Sequence, residues 1–267
     1  MSRNMTLGQY FPGDSFMHRC DPRTKIILSL TFMVLVVMAD RWEEFLLPGC
    51  FIVIVALWSK IPVKTLLGSI RPMIPLVLFA TIFNVFLVQG RPIFQLWIIT
   101  ATWEGLYLAI MMSVRILLII VGGSSLMIFT TTPIMLTDGL ERLLRPLKRL
   151  HVPVHDIAMM MTITMRFIPT LMEESDKIMK AQASRGATFN EGKLMDRIRS
   201  FLPIIVPLFV SAFRRADELA DAMQARCYRG DDGRTRLRQL RYKRLDARAF
   251  AVFTLMSVLF FAVRILL

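Results

Sequence analysis

Two stretches, Asp176-Lys-Ile-Met-Lys-Ala181-Gln-Ala-Ser-Arg185-Gly186 and Asp217-Glu-Leu-Ala-Asp-Ala222-Met-Gln-Ala-Arg226-Cys227, decide how the chain is read. Both fit Asp-x4-Ala-x3-Arg, and on a helix the alanine lies one turn before the arginine on the same face. Gly186 is a natural helix stop just past the first arginine, and Gly230 follows shortly after the second. Each stretch is entered from apolar sequence: Ile157–Met165 and Arg166-Phe-Ile-Pro169 before the first, Phe201–Val210 with Pro203 and Pro207 before the second. Two readings stand here. Either these are matched prongs that offer an arginine to two similar partners, or they are a coincidence among charged helix ends.

The rest of the chain supplies a membrane context. Hydrophobic residues make up 55% of 267, and mean hydropathy is +0.53. Several apolar runs approach the length needed to cross a bilayer. The net charge of +13 could suggest nucleic acid, but its placement suits the cytoplasmic segments of an integral membrane protein. Residues 131–248 hold 22 Lys and Arg against 14 Asp and Glu, and further basic residues cluster in 1–25 and 60–71. Only Arg41, Arg91 and Arg264 flank the opposite ends of the runs, and Arg115 lies inside one.

Outward from the arms, Asp21-Pro22 is an N-cap with proline at the first helical position, and the apolar run continues to Ala39. Arg23 and Lys25 are expected to snorkel to the interface. Further runs cover 45–59, 73–89 and 104–130, joined by a turn at 40–44, a basic loop at 60–71 and a loop or shallow segment at 90–103 with Trp97 and Trp103. Residues 134–150 form a basic amphipathic helix that lies on the membrane or packs against a neighbour. The final run is 249–267. The expectation is an all-α integral membrane protein with about five transmembrane helices: four spans in 1–130, a cytoplasmic or interfacial module in 131–248 with two long crossed helices, and a last span in 249–267. The basic segments place the amino terminus and residues 131–248 in the cytoplasm of a multi-pass cell-membrane protein.

Signs of catalysis are sparse. Gly186 to Leu194 misses the phosphate-loop spacing, and Leu194 replaces the hydroxyl that would hold magnesium. His151 and His155 are four apart but separated by Pro153, which favours a helix junction over a metal site. Cys20, Cys50 and Cys227 imply no disulfide frame. No catalytic or metal site is expected. Arg115 must face other helices or snorkel, towards Glu104 or a backbone carbonyl. The alternative function built on it is a stand-alone channel or secondary carrier. Met159, Met160, Met161 and Met165 are either packing or a surface that adapts to different partners.

Taken together, Gly8-Gln-Tyr10 with Pro12, Ser15, His18, Asp21-Pro-Arg-x-Lys25, Thr131-Thr-Pro133, Gly139-Leu-Glu-Arg-Leu143, Arg166-Phe-Ile-Pro169 and the two arms resemble the transmembrane T component of energy-coupling factor transporters, importers of the ABC class. The family carries an Ala-Arg-Gly triplet at the end of each coupling helix. The matching triplets here are Ser184-Arg185-Gly186 and Ala225-Arg226-Cys227. The resemblance implies that each tip docks on one of two ATPase subunits, which carry the ATP and magnesium, and that the chain itself holds no cofactor. It also implies that the apolar base of the arms, with Met159, Met160, Met161, Met165 and Phe209 as candidates, holds a substrate-binding S component for vitamin or micronutrient uptake. A dedicated cobalt, nickel or biotin system is the alternative within the family. Cys227 departs from the pattern most, because a side chain disfavours a left-handed stop, and the second helix is expected to end differently, nearer Gly230.

Overall fold

A computed structural model describes residues 13–59, 61–96, 99–187, 194–230 and 240–266. The Gly8-Gln-Tyr10 and Pro12 motif residues, Lys60, Trp97 and most of the Gly186–Leu194 loop lie outside them. The protein is an all-α membrane protein, and among the described residues four helices are long and apolar enough to cross a bilayer: Trp42–Ser59, Lys64–Leu87, Trp103–Ile128 and Arg244–Leu266. The chain divides into two compact units, one formed by residues 1–143 with 239–267 and the other by 144–238.

The first unit is built around α2 (Pro22–Met38), which follows the single turn α1 (Phe16–Arg19). At 17 residues, α2 is about 26 Å long, a little less than the hydrocarbon core. It is enclosed by α3 (Trp42–Ser59), α6 (Trp103–Gly123) and α10 (Arg244–Leu266). Phe32 stacks on Phe51 at 6.0 Å, and Phe51 meets Phe253 edge-on at 5.5 Å. Phe32, Val36, Val55, Leu126 and Phe260 are buried in this core. Gly122 is required here, because a Cβ would meet the Phe32 ring at 2.2 Å. Beyond it α6 loosens into a π-turn at Ser124–Ile128.

Two polar clusters fix the ends of α2. At its start, Asp21 caps the Arg23 amide at 2.9 Å and takes two bonds from the Arg23 guanidinium, which also donates to Leu240 O at 3.1 Å and lies over the Tyr242 ring. The buried Asp246 accepts from the Asp21 and Lys243 amides, both at 2.7 Å, so one carboxylate ties the first turns of α2 and α10 together. Lys25 does not snorkel. It is 2% exposed and donates to Thr130 O at 2.8 Å and Thr131 Oγ1 at 3.2 Å, just past the π-turn that ends α6. At the far end, Arg115 and Arg264 donate to the terminal carbonyls of Ala39 and Met38, and Asp40 lies 3.6 and 3.3 Å from them. Arg115 therefore meets a backbone carbonyl, as expected, whereas Glu104 accepts from the Arg91 amide instead.

The segment read as a basic loop is helical. α4 (Val63–Ile70) runs through a 3-10 turn at Arg71–Met73 into α5 (Ile74–Leu87). The apolar spacing of Leu66, Leu67 and Ile70 outweighs the charges of Lys64 and Arg71. Between α5 and α6, β1 (Pro92–Leu96) and β2 (Ile99–Thr102) pair as a short antiparallel hairpin. α7 (Pro133–Leu144) starts with Thr132 Oγ1 accepting the Met135 amide, and its Gly139 lies against Pro22 and Ile26. The amphipathic helix thus packs against a neighbour. It ends at Leu144 because Arg145-Pro146 tightens the next turn, and His151 closes that turn at φ 61°.

The second unit consists mainly of α8 (Val154–Ser184) and α9 (Leu194–Ala225), 31 and 32 residues long.

Candidate functional site

α8 and α9 are the arginine-tipped arms, and each runs unbroken through its prolines, Pro169 in the first and Pro203 and Pro207 in the second. Ascending positions on α8 meet descending ones on α9. Met159 and Thr162 share a cleft with Met223 and Arg226, Phe167 and Leu171 share another with Ala212 and Ala216, and Glu174 bonds Ser211. The arms therefore run in opposite senses. Glu174 is the polar centre of their contact, accepting from Ser211 Oγ at 2.5 Å and Arg215 Nη2 at 2.9 Å. The Ser211 hydroxyl, with Arg215 beside it, holds the Glu174 carboxyl below its ordinary value.

The two tips are the same structure. In α8 the Gly186 amide donates to Ala183 O and the Ala187 amide to Gln182 O, both at 3.0 Å. In α9 the Cys227 amide donates to Gln224 O at 2.9 Å and the Tyr228 amide to Met223 O at 3.0 Å. Both are Schellman caps with the arginine at the last half-helical position. Gly186 has φ 88° and Cys227 φ 56°. The expectation that Cys227 would displace the second stop towards Gly230 is thus wrong: the paired cap bonds hold the cysteine in the left-handed region despite its side chain. Ser184 bonds back to Lys180 O at 3.1 Å, so its hydroxyl is satisfied within the helix that an alanine would also suit. Ala225, like Ser184, is exposed.

Arg185 and Arg226 are both exposed, and neither has an ion-pair partner among the described residues. Each stands eleven residues beyond the Glu174–Arg215 contact, about 16 Å along its own helix. Because the arms are opposed, the arginines are carried apart rather than gathered into one site. They form two equivalent cationic ends, each a planar, permanently charged fork suited to bidentate carboxylate recognition.

The family model described as CbiQ, cobalt transport protein, matches residues 13–237. The chain belongs to that family. Within the CbiQ family, it is 52% identical over 246 residues to the energy-coupling factor transporter transmembrane protein of Ruminiclostridium cellulolyticum, covering 92% of each chain. It is 44% identical to the protein of that name from Lactococcus lactis subsp. cremoris, over 96% of this chain and 97% of the relative. It is 42% identical to that of Listeria innocua serovar 6a, over 99% and 100%.

The candidate apolar residues of this CbiQ-family chain are dispersed. Met159 lines the cleft beside the α9 tip, Met160 is 55% exposed, Met161 and Met165 are half-buried, and Phe209 is 60% exposed. Phe209 is one member of a longer exposed stripe on α9: Leu202, Ile205, Val206, Phe209, Val210 and Phe213. Their helical spacing was the available signal, but Pro203 and Pro207 make the segment read as interrupted. Also missed was Asp40, the acid that Arg115 and Arg264 share from a neighbouring helix end.

Proposed function

We propose that the chain is the non-catalytic coupling subunit of an energy-coupling factor importer. Each arginine tip docks on one of two ATPase subunits, which bind the ATP and magnesium. Nucleotide-driven approach of the ATPases displaces the tips, and the stiff arms carry that displacement to the membrane. An S component, seated on the exposed apolar stripe of α9 and the methionines of α8, then reorients with its vitamin or micronutrient. In this reading residues 131–248 act in the cytoplasm, as does the amino terminus, in keeping with the concentration of basic residues there.

One observation carries the proposal: two opposed helices end in the same cap, and each leaves at the same cap position an exposed arginine with no ion-pair partner among the described residues. A Schellman cap fixes the last turn, so the guanidinium is offered in a defined direction at little cost in backbone entropy. Two such ends suit two similar acidic grooves better than one. The channel or carrier reading needs Arg115 for a moving substrate, but Arg115 is engaged by Ala39 O and Asp40.

The test is charge reversal of both tips. Arg185→Glu with Arg226→Glu should abolish co-purification of the ATPases in gentle detergent and leave membrane insertion intact. Undiminished recovery of the ATPases defeats the proposal. Mass identification of everything recovered with the unaltered chain also separates a shared subunit, which brings several S components, from a dedicated one of the cobalt kind that the family description names.

A further inference from the structure

The arms repeat each other at an offset of 41 residues, and the repeat reaches back from the tips to the place where they touch. Arg226 follows Arg185 by 41 positions and Cys227 follows Gly186 by the same step. Arg215 follows Glu174, its own partner across the arms, by 41 as well. When two opposed helices meet at equivalent positions, a local two-fold axis passes near the contact, as in a self-complementary dimer interface. A faithful repeat would set like against like there. Two glutamates or two arginines at hydrogen-bonding distance would repel. This chain has the reverse: Glu173-Glu174 on α8 and Arg214-Arg215 on α9. The acid at the contact takes a 2.9 Å bond from its counterpart arginine and a 2.5 Å bond from Ser211, the counterpart of Thr170 one turn earlier on α8.

Apolar packing leaves the contact incompletely filled. Beside it lies a cleft of about 210 Å³ lined by Ile163, Phe167, Leu171, Ala212, Ala216 and Leu219. Helices separated by unfilled space forgo part of their dispersion contact and can change register along their ridges. A charge-assisted, geometrically specific pair is the feature that selects one register among them.

We infer that Glu174, Arg215 and Ser211, with Glu173 and Arg214 adjoining, form a positioning latch that fixes where the two arms cross, so that they turn about that point without sliding past each other. Its role in transport rests on the coupling function proposed above; its role in holding the arms does not. A slip of one turn would shift a tip by about 5.4 Å relative to its partner, and displacement at the tips would be spent in sliding rather than delivered to the membrane end.

The experiment places spin labels on Cys227 and on a cysteine introduced at Ala181, in a Cys50→Ser background, and measures the interspin distance in the detergent-solubilised chain. ATP-driven uptake is measured in the assembled transporter carrying the same latch variants without labels. Glu174→Arg and Arg215→Glu should each broaden the distance distribution and lower uptake about tenfold while the ATPases still co-purify. The double reversal should restore both. Glu174→Gln, which keeps a hydrogen bond to Ser211 without the charge, should insert normally and still broaden the distribution. The latch is overturned if the double reversal fails to recover the narrow distribution, or if the glutamine variant leaves it unchanged. Distances that respond as expected, in a chain that recovers no ATPases even when unaltered, would uphold the latch and remove the coupling function.

Discussion

Cys227 occupies the left-handed region at φ 56°, where Gly186 sits at φ 88° in the other arm. The side chain costs about 1–2 kcal/mol in that conformation, against about 0.5–1 kcal/mol of extra chain entropy that a glycine loses on folding. Cys227→Gly should therefore strengthen the α9 cap by roughly 0.5–1 kcal/mol, and Gly186→Ala should weaken the α8 cap by a similar amount. Hydrogen exchange at the closing amides checks the sign, at Tyr228, which bonds Met223 O, and at Ala187, which bonds Gln182 O. Exchange should slow roughly threefold in the first variant and quicken in the second. Equal exchange before and after either change would mean that neighbouring contacts, rather than backbone conformation, decide how the tip ends. The family triplet was legible in the sequence, but its cap was not, because a local preference against φ above zero outweighed in the reading a pair of bonds that only the folded turn displays.

At the scale of elements, the contact between α8 and α9 should depend on pH in a direction fixed by Glu174. Its carboxyl is held below the ordinary 4.5, first by the Ser211 hydroxyl and then by Arg215. A carboxyl depressed in the folded state contributes stability that is complete above its unfolded value and is lost as pH falls through the folded one. The charged groups facing it from α9 are Arg214 and Arg215, and Glu173 adjoins it on α8. The interspin distance between the arms should stay constant from about pH 8 to about pH 5 and broaden only at more acid values. In Glu174→Gln it should be flat across the same range, and a transition near neutrality would point to another group. The elements themselves were largely readable where the signal is local: the Asp21-Pro22 start of α2, the Thr132-Pro133 start of α7, and the two arms. What escaped is partnership across the chain. Lys25 reads as an interfacial lysine until Thr130, 105 positions away, supplies its acceptor. The helical spacing in α4 was masked by two basic residues, and that in α9 by two prolines that the helix accommodates.

For the whole molecule, the orientation across the bilayer decides whether the arms can meet nucleotide-binding partners at all, and the three native cysteines allow it to be read without adding a probe site. Cys20 is 5% exposed, and its thiol is pushed up to about 11, mainly by burial and next by Asp246, so it offers almost no thiolate near neutrality. Cys50 lies in the middle of the apolar span Trp42–Ser59 with its side chain outward, where hydrocarbon keeps out a charged reagent. Cys227 is exposed at the α9 tip, outside the apolar spans and open to a water-borne reagent. A membrane-impermeant maleimide should therefore label the unaltered protein at Cys227 alone, and Cys227→Ser should abolish the signal. Basic residues concentrate in 131–248 and are sparse at 40–44 and 90–103, and the proposed function puts the arms on the cytoplasmic side. Labelling is accordingly expected in inverted vesicles and not in right-side-out ones. Labelling of right-side-out vesicles would put Arg185 and Arg226 on the face where ATP is absent, and no coupling to cytoplasmic ATPases could then pass through them.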